Sequence, residues 1–172
     1  APTVVQPATP AAVSTSASGD SITVKTDLYT MEISTLGGNV LKVFLNDYPA
    51  SLGDKENSFQ LMKPQPPGLF IAQSGLVAAE GSTAPTHEAQ YQVSGSRFEL
   101  AEDADQLVVD LLWNGADGVE VTKRFVYNRG SYLVTVQHIV ENGSGKPWMG
   151  SEYRQLMRTP PDESTASKFI YT

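Results

Sequence analysis

Acid–base or metal chemistry in this chain would depend on histidines and carboxylates, because its 172 residues include no cysteine. The two histidines are His87 and His138. His87 precedes Glu88 in a polar segment, and neighbours in a loop seldom converge on one point, so we predict a solvated loop histidine. His138 shares one strand face with Val134, Val136 and Val140 and is predicted to pack in the core or on a sheet face rather than to act as an acid, a base or a ligand.

Carboxylates are concentrated at Glu99, Glu102, Asp103 and Asp105. Glycoside hydrolysis would need two carboxylates facing each other across a substrate, whereas this spacing is typical of a solvated loop between strands. The sequence contains no EF-hand loop, nucleophile elbow, phosphate-binding loop or zinc-protease helix motif. We therefore predict no catalytic, cofactor-binding or metal-binding residues and no cofactor.

Several other conspicuous residues have structural interpretations. Gly37-Gly38 is typical of a turn, since glycine tolerates positive φ. The triplet at 142–144 matches a glycosylation sequon, but its glycine-rich turn explains those residues. Trp113 and Trp148 are predicted to be core or interface anchors.

Charge and hydropathy exclude two classes of partner. The formal net charge is −7, from 12 Lys and Arg against 19 Asp and Glu, and there is no basic block. We therefore predict that the chain does not bind nucleic acid. There is also no run of about 18 apolar residues that could span a membrane, and no signal peptide pattern.

The first 20 residues differ from the rest in composition. Residues 1–19 are rich in Ala, Pro, Ser and Thr and carry no charge. Such a segment cannot build an apolar face, so residues 1–20 are predicted to be a flexible linker and residues 21–172 the folded domain.

Beyond residue 20, apolar residues alternate with polar ones at period two, and no capped helical stripe occurs. This pattern predicts an all-β fold, an antiparallel β-sandwich. The predicted strands lie at residues 22–25, 29–33, 40–45, 59–62, 69–72, 91–93, 98–100, 107–113, 119–127, 132–140 and 148–157.

The central predicted strand has one face made of Val119, Val121, Phe125 and Tyr127, together with Lys123. Phe125 is predicted to anchor the core. The same register places the Lys123 ammonium where it must reach solvent or a partner. The last four residues, 169–172, have the composition of a strand that is just beginning, so we expect a domain truncated at its C-terminus.

Taken in order, several segments resemble the large periplasmic domain of the YidC membrane protein insertase family. They are 22–27 (ITVKTD), 33–40 (ISTLGGNV), 58–61 (SFQL), 72–76 (AQSGL), 122–126 (TKRFV) with 129–132 (RGSY), 140–142 (VEN) and 153–156 (YRQL).

The resemblance implies a twisted, galactose-mutarotase-like supersandwich on the periplasmic side of the Gram-negative inner membrane, of which residues 21–172 are the first part. It implies a non-catalytic role in membrane protein insertion and folding. The implied partners are Sec translocon components, namely SecD–SecF–YajC and SecYEG, and nascent membrane proteins handled by the full-length protein. The alternative is a carbohydrate-binding or mutarotase-like sandwich, which would need an acid and a base facing each other across a cleft.

Overall fold

The computed structural model describes residues 20–54 and 56–160, and these residues form ten strands and no helix. The strands are β1 (Ser21–Lys25), β2 (Tyr29–Ser34), β3 (Val40–Pro49), β4 (Ser58–Met62), β5 (Phe70–Ala78), β6 (Arg97–Glu99), β7 (Gln106–Asn114), β8 (Val119–Asn128), β9 (Val134–Asn142) and β10 (Gly150–Arg158). The prediction of an all-β sandwich is confirmed. None of the described residues belongs to a helix that could cross a bilayer.

The strands form two sheets. A seven-stranded sheet has the order β10-β5-β3-β2-β1-β6, with β4 paired to β3, and a three-stranded antiparallel sheet has the order β7-β8-β9. All neighbours in the large sheet are antiparallel except β1 and β6, which are parallel. Backbone atoms link the sheets through the segment at 90–92, which lies outside the named strands. The Tyr91 N–H donates to the Thr35 carbonyl after β2 at 2.9 Å, and Gln92 and Leu112 of β7 exchange N–H···O bonds of 2.8 Å.

The core lies between the two sheets and follows from strand alternation. Along β8, Val119, Val121, Phe125 and Tyr127 are each no more than 1% exposed, whereas the residues on the opposite face of the strand are exposed or half-buried. The predicted role of Phe125 as a buried core residue is confirmed. Lys123 has the same inward register and is also fully buried.

Several predicted strand limits are wrong. β5 continues to Ala78 instead of stopping at residue 72, because β10 pairs with it along its whole length. The sequence around β5 gives no sign of this pairing. Residues 91–93 form no strand, since Gln90 and Gln92 make only isolated bridges. β9 begins at Val134, so Tyr132 lies in the preceding turn.

Two predictions concern residues that lie outside the described part of the chain. These are the linker at residues 1–19 and the strand-like segment at 169–172.

Candidate functional site

A groove of about 310 Å³ opens between the sheets, where β10, β5 and β3 face β8 and β9. Its walls are mainly apolar, and Arg154 is the one charged residue among those that line it within the described ranges. The lining residues are Gly38, Val40, Ala72, Gln73, Ser74, Phe125, Val134, Val136, Arg154, Gln155 and Leu156. Such a surface suits an apolar or extended segment better than it suits acid–base chemistry.

At the groove, β9 and β10 approach each other as edge strands of different sheets and are joined by side chains. The Arg154 guanidinium donates to the Val136 carbonyl at 3.3 Å and to both carboxylate oxygens of Glu152, at 2.9 and 3.1 Å. Glu152 in turn lies 3.2 Å from His138 Nδ1. We refer to His138, Glu152 and Arg154 as the edge bridge.

The hydrogen-bonding role of His138 follows from its neighbour. An ionised carboxylate only accepts, so His138 Nδ1 donates to Glu152 and Nε2 is left as the acceptor. The His138 side chain is only 2% exposed, and Nε2 has no hydrogen-bond partner among the described residues. Burial, and then the charge of neighbouring Lys123, lower the pKa of His138, whereas Glu152 opposes this shift. The Arg154 hydrogen bond lowers the pKa of Glu152, although burial opposes it.

Lys123 crosses the interior from β8 to the large sheet. Its Nζ donates to the carbonyl oxygens of Gly37, at 2.8 Å, and Ser74, at 2.9 Å. Burial lowers the pKa of Lys123 to about 7, and the charge of Glu152 only partly offsets that effect. A neutral amine has two N–H groups, so these two carbonyls satisfy its donors, whereas an ammonium would retain a third.

The turn between β2 and β3 is built to receive this amine. Gly37 and Gly38 have φ values of +77° and +59°, and a Cβ on Gly38 would lie 2.9 Å from Lys123 Cδ. The Asn39 amide donates to the Leu36 carbonyl at 3.0 Å and to the His87 carbonyl at 2.9 Å. The glycine pair is therefore a turn, as predicted, and it also admits the lysine stem.

His87 lies in a loop, as predicted, but the prediction that it is solvated is wrong, because its carbonyl accepts from Asn39 and its ring meets Tyr153. It is half-buried, its backbone N–H donates to the Tyr153 hydroxyl at 2.8 Å, and its Nδ1 lies 2.6 Å from the same oxygen. Its position is determined by Tyr153 on β10, 66 residues away in sequence. The residues next to His87 in sequence give no sign of that contact.

Among the described residues, the two histidines have separate partners, Tyr153 for His87 and Glu152 for His138. His138 is a packed sheet-face histidine, as predicted, and it lies outside the lining of the groove. Glu102, Asp103 and Asp105 are exposed, and Glu99 pairs with Lys25 at 2.6 Å on the surface. Within residues 20–54 and 56–160, no three His, Asp or Glu side chains are placed to hold a metal ion.

The two tryptophans are anchors, as predicted. Trp113 is half-buried and packs against both hydrophobic clusters of the core. The Trp148 indole donates to the Thr83 carbonyl at 2.9 Å and packs beside Val119 and Val121. Neither residue lines the groove.

Sequence reasoning missed the edge bridge and the acceptors of Lys123. The sequence does place a lysine at position 123 on the inward face of its strand, and this indicates that its amine must reach solvent or a partner. The acceptors lie 86 and 49 residues away along the chain, so no local pattern could have identified them.

With this geometry established, the family of the chain can be stated from comparison with known proteins. The protein-family model that describes the YidC periplasmic domain matches residues 21–172. The chain belongs to the YidC periplasmic domain family. The match covers both sheets of the sandwich, the groove between them and the edge bridge.

Similar full-length proteins are named membrane protein insertase YidC. The one from Thioalkalivibrio sulfidiphilus is 38% identical over 179 aligned residues, which cover 100% of this chain and 30% of that protein. The one from Nitrosococcus oceani is 38% identical over 82% of this chain and 26% of its own length. The one from Vibrio atlanticus is 41% identical over 86% of this chain and 27% of its own length. The chain thus spans less than a third of the length of these relatives.

Proposed function

We propose that this chain is the first part of the periplasmic domain of a bacterial inner-membrane insertase and that it acts by contact rather than by catalysis. The observation that carries the proposal is the match of the YidC periplasmic domain to residues 21–172, supported by relatives named as insertases. In this proposal the sandwich faces the periplasm of a Gram-negative cell and assists the insertion and folding of nascent membrane proteins.

The proposed partners are components of the Sec translocon, SecD–SecF–YajC and SecYEG. The groove supports a contact role because its walls are apolar and carry a single charge, at Arg154. Leu156, which lines the groove on β10, is 67% exposed, so part of this apolar wall is open to solvent. Apolar surface flanked by polar residues is typical of a protein-binding surface.

Residues 1–20 are proposed to tether the sandwich to the remainder of the protein. A tether of this composition holds a domain close to its neighbours and raises the effective concentration for weak contacts. A weak contact between the sandwich and a translocon component would therefore be sufficient in the membrane.

Site-specific crosslinking in the full-length protein in native membranes tests this proposal. A photoreactive amino acid is placed at Leu156 on β10 and at Val136 on β9, two groove-lining positions that belong to different sheets. A matched control carries it at Asp103, on an exposed loop away from these strands. We expect crosslinks to translocon components from the first two positions and few or none from the third.

The opposite result is equally clear. If neither Leu156 nor Val136 gives a translocon crosslink while the labelled proteins still insert a substrate, the contact role of this surface is wrong. Equal crosslinking from all three positions would indicate random collision and would also count against it.

A further inference from the structure

A second surface, distinct from the groove, lies where the β1–β2 turn, the end of β3 and the β8–β9 turn meet. Tyr48, Tyr132 and Leu133 are 54%, 49% and 67% exposed there. Tyr132 stacks on the buried Tyr29, with ring centroids 6.0 Å apart and an interplanar angle of 25°. We call Tyr48, Tyr132 and Leu133 the tyrosine patch.

The patch is held in place by the turns that form it. The Gly130 N–H donates to Asp27 Oδ2 at 2.8 Å, which fixes the β8–β9 turn against the β1–β2 turn. The Asn46 amide donates to the carbonyls of Thr26 and Asp27, at 3.2 and 3.1 Å, which ties the end of β3 to the same turn. A surface ordered in advance loses less entropy when it binds a partner.

Two exposed carboxylates, Asp27 and Asp47, accompany these rings. Asp27 accepts from the Gly130 N–H of the β8–β9 turn, and Asp47 directly precedes Tyr48 at the end of β3. Desolvation, and then the charges of Tyr48, Asp47 and Asp27, raise the pKa of Tyr132. Neither carboxylate forms an ion pair with any residue of the described ranges. The nearby Arg129 side chain is directed to the carbonyls of Ala101 and Ala104.

We propose that the tyrosine patch binds a cationic polypeptide segment, with a lysine or arginine side chain resting on the outer face of Tyr132 between Asp27 and Asp47. A cation is attracted to the face of an aromatic ring, and Tyr132 has its other face occupied by Tyr29. The two carboxylates supply the complementary charge, and Leu133 supplies apolar contact for the stem of the cationic side chain.

The charge of the surface selects this occupant. An anionic lipid surface or a nucleic acid would be repelled by Asp27 and Asp47, and the chain as a whole has a net charge of −7. This inference goes beyond the proposed function and does not depend on it, because it concerns different residues from the groove.

Titration of this chain with a blocked tetralysine peptide, followed by NMR of backbone amides, tests the proposal. We expect shifts that saturate and are largest at Asp27, Asp47, Tyr48 and Tyr132, and that weaken as salt is added. Blocked tetraglutamine and tetraglutamate serve as uncharged and anionic controls and are expected to give no saturable shifts at these residues.

Variants separate the ring from the charges. Tyr132→Ala is expected to weaken tetralysine binding about threefold, whereas Tyr132→Phe keeps the ring face and most of the binding. Asp47→Asn, at an exposed position where no fold contact is lost, is expected to weaken binding about twofold at low salt. Asp103→Asn removes one exposed charge elsewhere and is expected to leave binding unchanged.

Three results would overturn the proposal. Shifts centred on residues 101–105 would show that tetralysine responds to acidity alone. If Asp103→Asn weakens tetralysine binding as much as Asp47→Asn does, binding again depends on acidity alone. Phosphatidylglycerol vesicles that shift the patch resonances more than tetralysine does would identify a lipid surface as the occupant. Because Asp47→Asn does not touch Tyr29, the test holds even if Tyr132→Ala fails to fold.

Discussion

The buried amine of Lys123 predicts that the folded domain becomes more stable as pH rises above neutrality. The pKa of Lys123 is lowered by burial to about 7 in the folded state, from 10.5 for an ordinary lysine. Between these two values the unfolded chain binds more protons than the folded one, so the free energy of unfolding increases with pH. Below pH 7 both states are protonated at this site, and the dependence disappears.

The size of the effect follows from the same two values. Each unit of difference in pKa is equivalent to about 1.4 kcal/mol, and linkage applied between pH 7 and pH 9 gives a gain on the order of 2 kcal/mol. Ionisation of buried tyrosines has the opposite sign: burial raises the pKa of Tyr29 to about 12, so its contribution to stability is lost in strong alkali. The window from pH 7 to pH 9 lies below that effect.

Urea unfolding at pH 6, 7, 8 and 9 measures this dependence for the wild type and for Lys123→Met. The methionine keeps an apolar stem but cannot titrate, so its stability is expected to be nearly flat over pH 7 to 9. Lys25→Met is the matched control, since the Lys25 side chain is 56% exposed, and it should retain the wild-type slope. Parallel curves for the wild type and Lys123→Met would show that Lys123 does not titrate in this range and would refute the reasoning.

Three further predictions concern stability. Phe125→Ala is expected to cost about 3–5 kcal/mol in urea unfolding because Phe125 is 1% exposed, whereas Phe59→Ala, at a position 43% exposed, should cost less than about 1 kcal/mol. Gly37→Ala should lose more stability than Gly81→Ala: both have positive φ, but only at Gly37 would a Cβ collide with a backbone atom, the His87 carbonyl oxygen. Deletion of residues 1–19 should leave the melting temperature unchanged by calorimetry, and a clear decrease would show that this segment docks on the sandwich.

Local alternation was sufficient to predict much of the small sheet. Val119, Val121, Phe125 and Tyr127 were assigned to the inward face of β8, and each is buried. Period-two patterning is reliable here because one face of β8 packs on the core along its whole length. The inward position of Lys123 followed from the same register, but its partners did not.

Features that depend on distant pairing were not predictable in this way. β5 continues through Gly75 to Ala78, and glycine in a strand normally weakens it. Here Tyr153 of β10 lies opposite Gly75, and its hydroxyl would be 2.7 Å from a Cβ at that position. The glycine therefore leaves space for a side chain that comes from 78 residues further along the chain, and the Tyr153 hydroxyl in turn fixes His87.

The two sides of the sandwich are closed by different kinds of contact. This difference affects how easily a polypeptide segment could enter the groove. On the β7 side the segment at 90–92 links the sheets through backbone hydrogen bonds, from Tyr91 to the Thr35 carbonyl after β2 and between Gln92 and Leu112 of β7. On the β9 side they meet through the edge bridge, in which Arg154 reaches the Val136 carbonyl at 3.3 Å with a side chain that is 65% exposed. An exposed guanidinium can exchange this long contact for water at little cost, whereas breaking paired backbone groups would leave them unsatisfied. A segment entering the groove would therefore meet less resistance from the Arg154 contact on the β9 side than from the paired backbone on the β7 side.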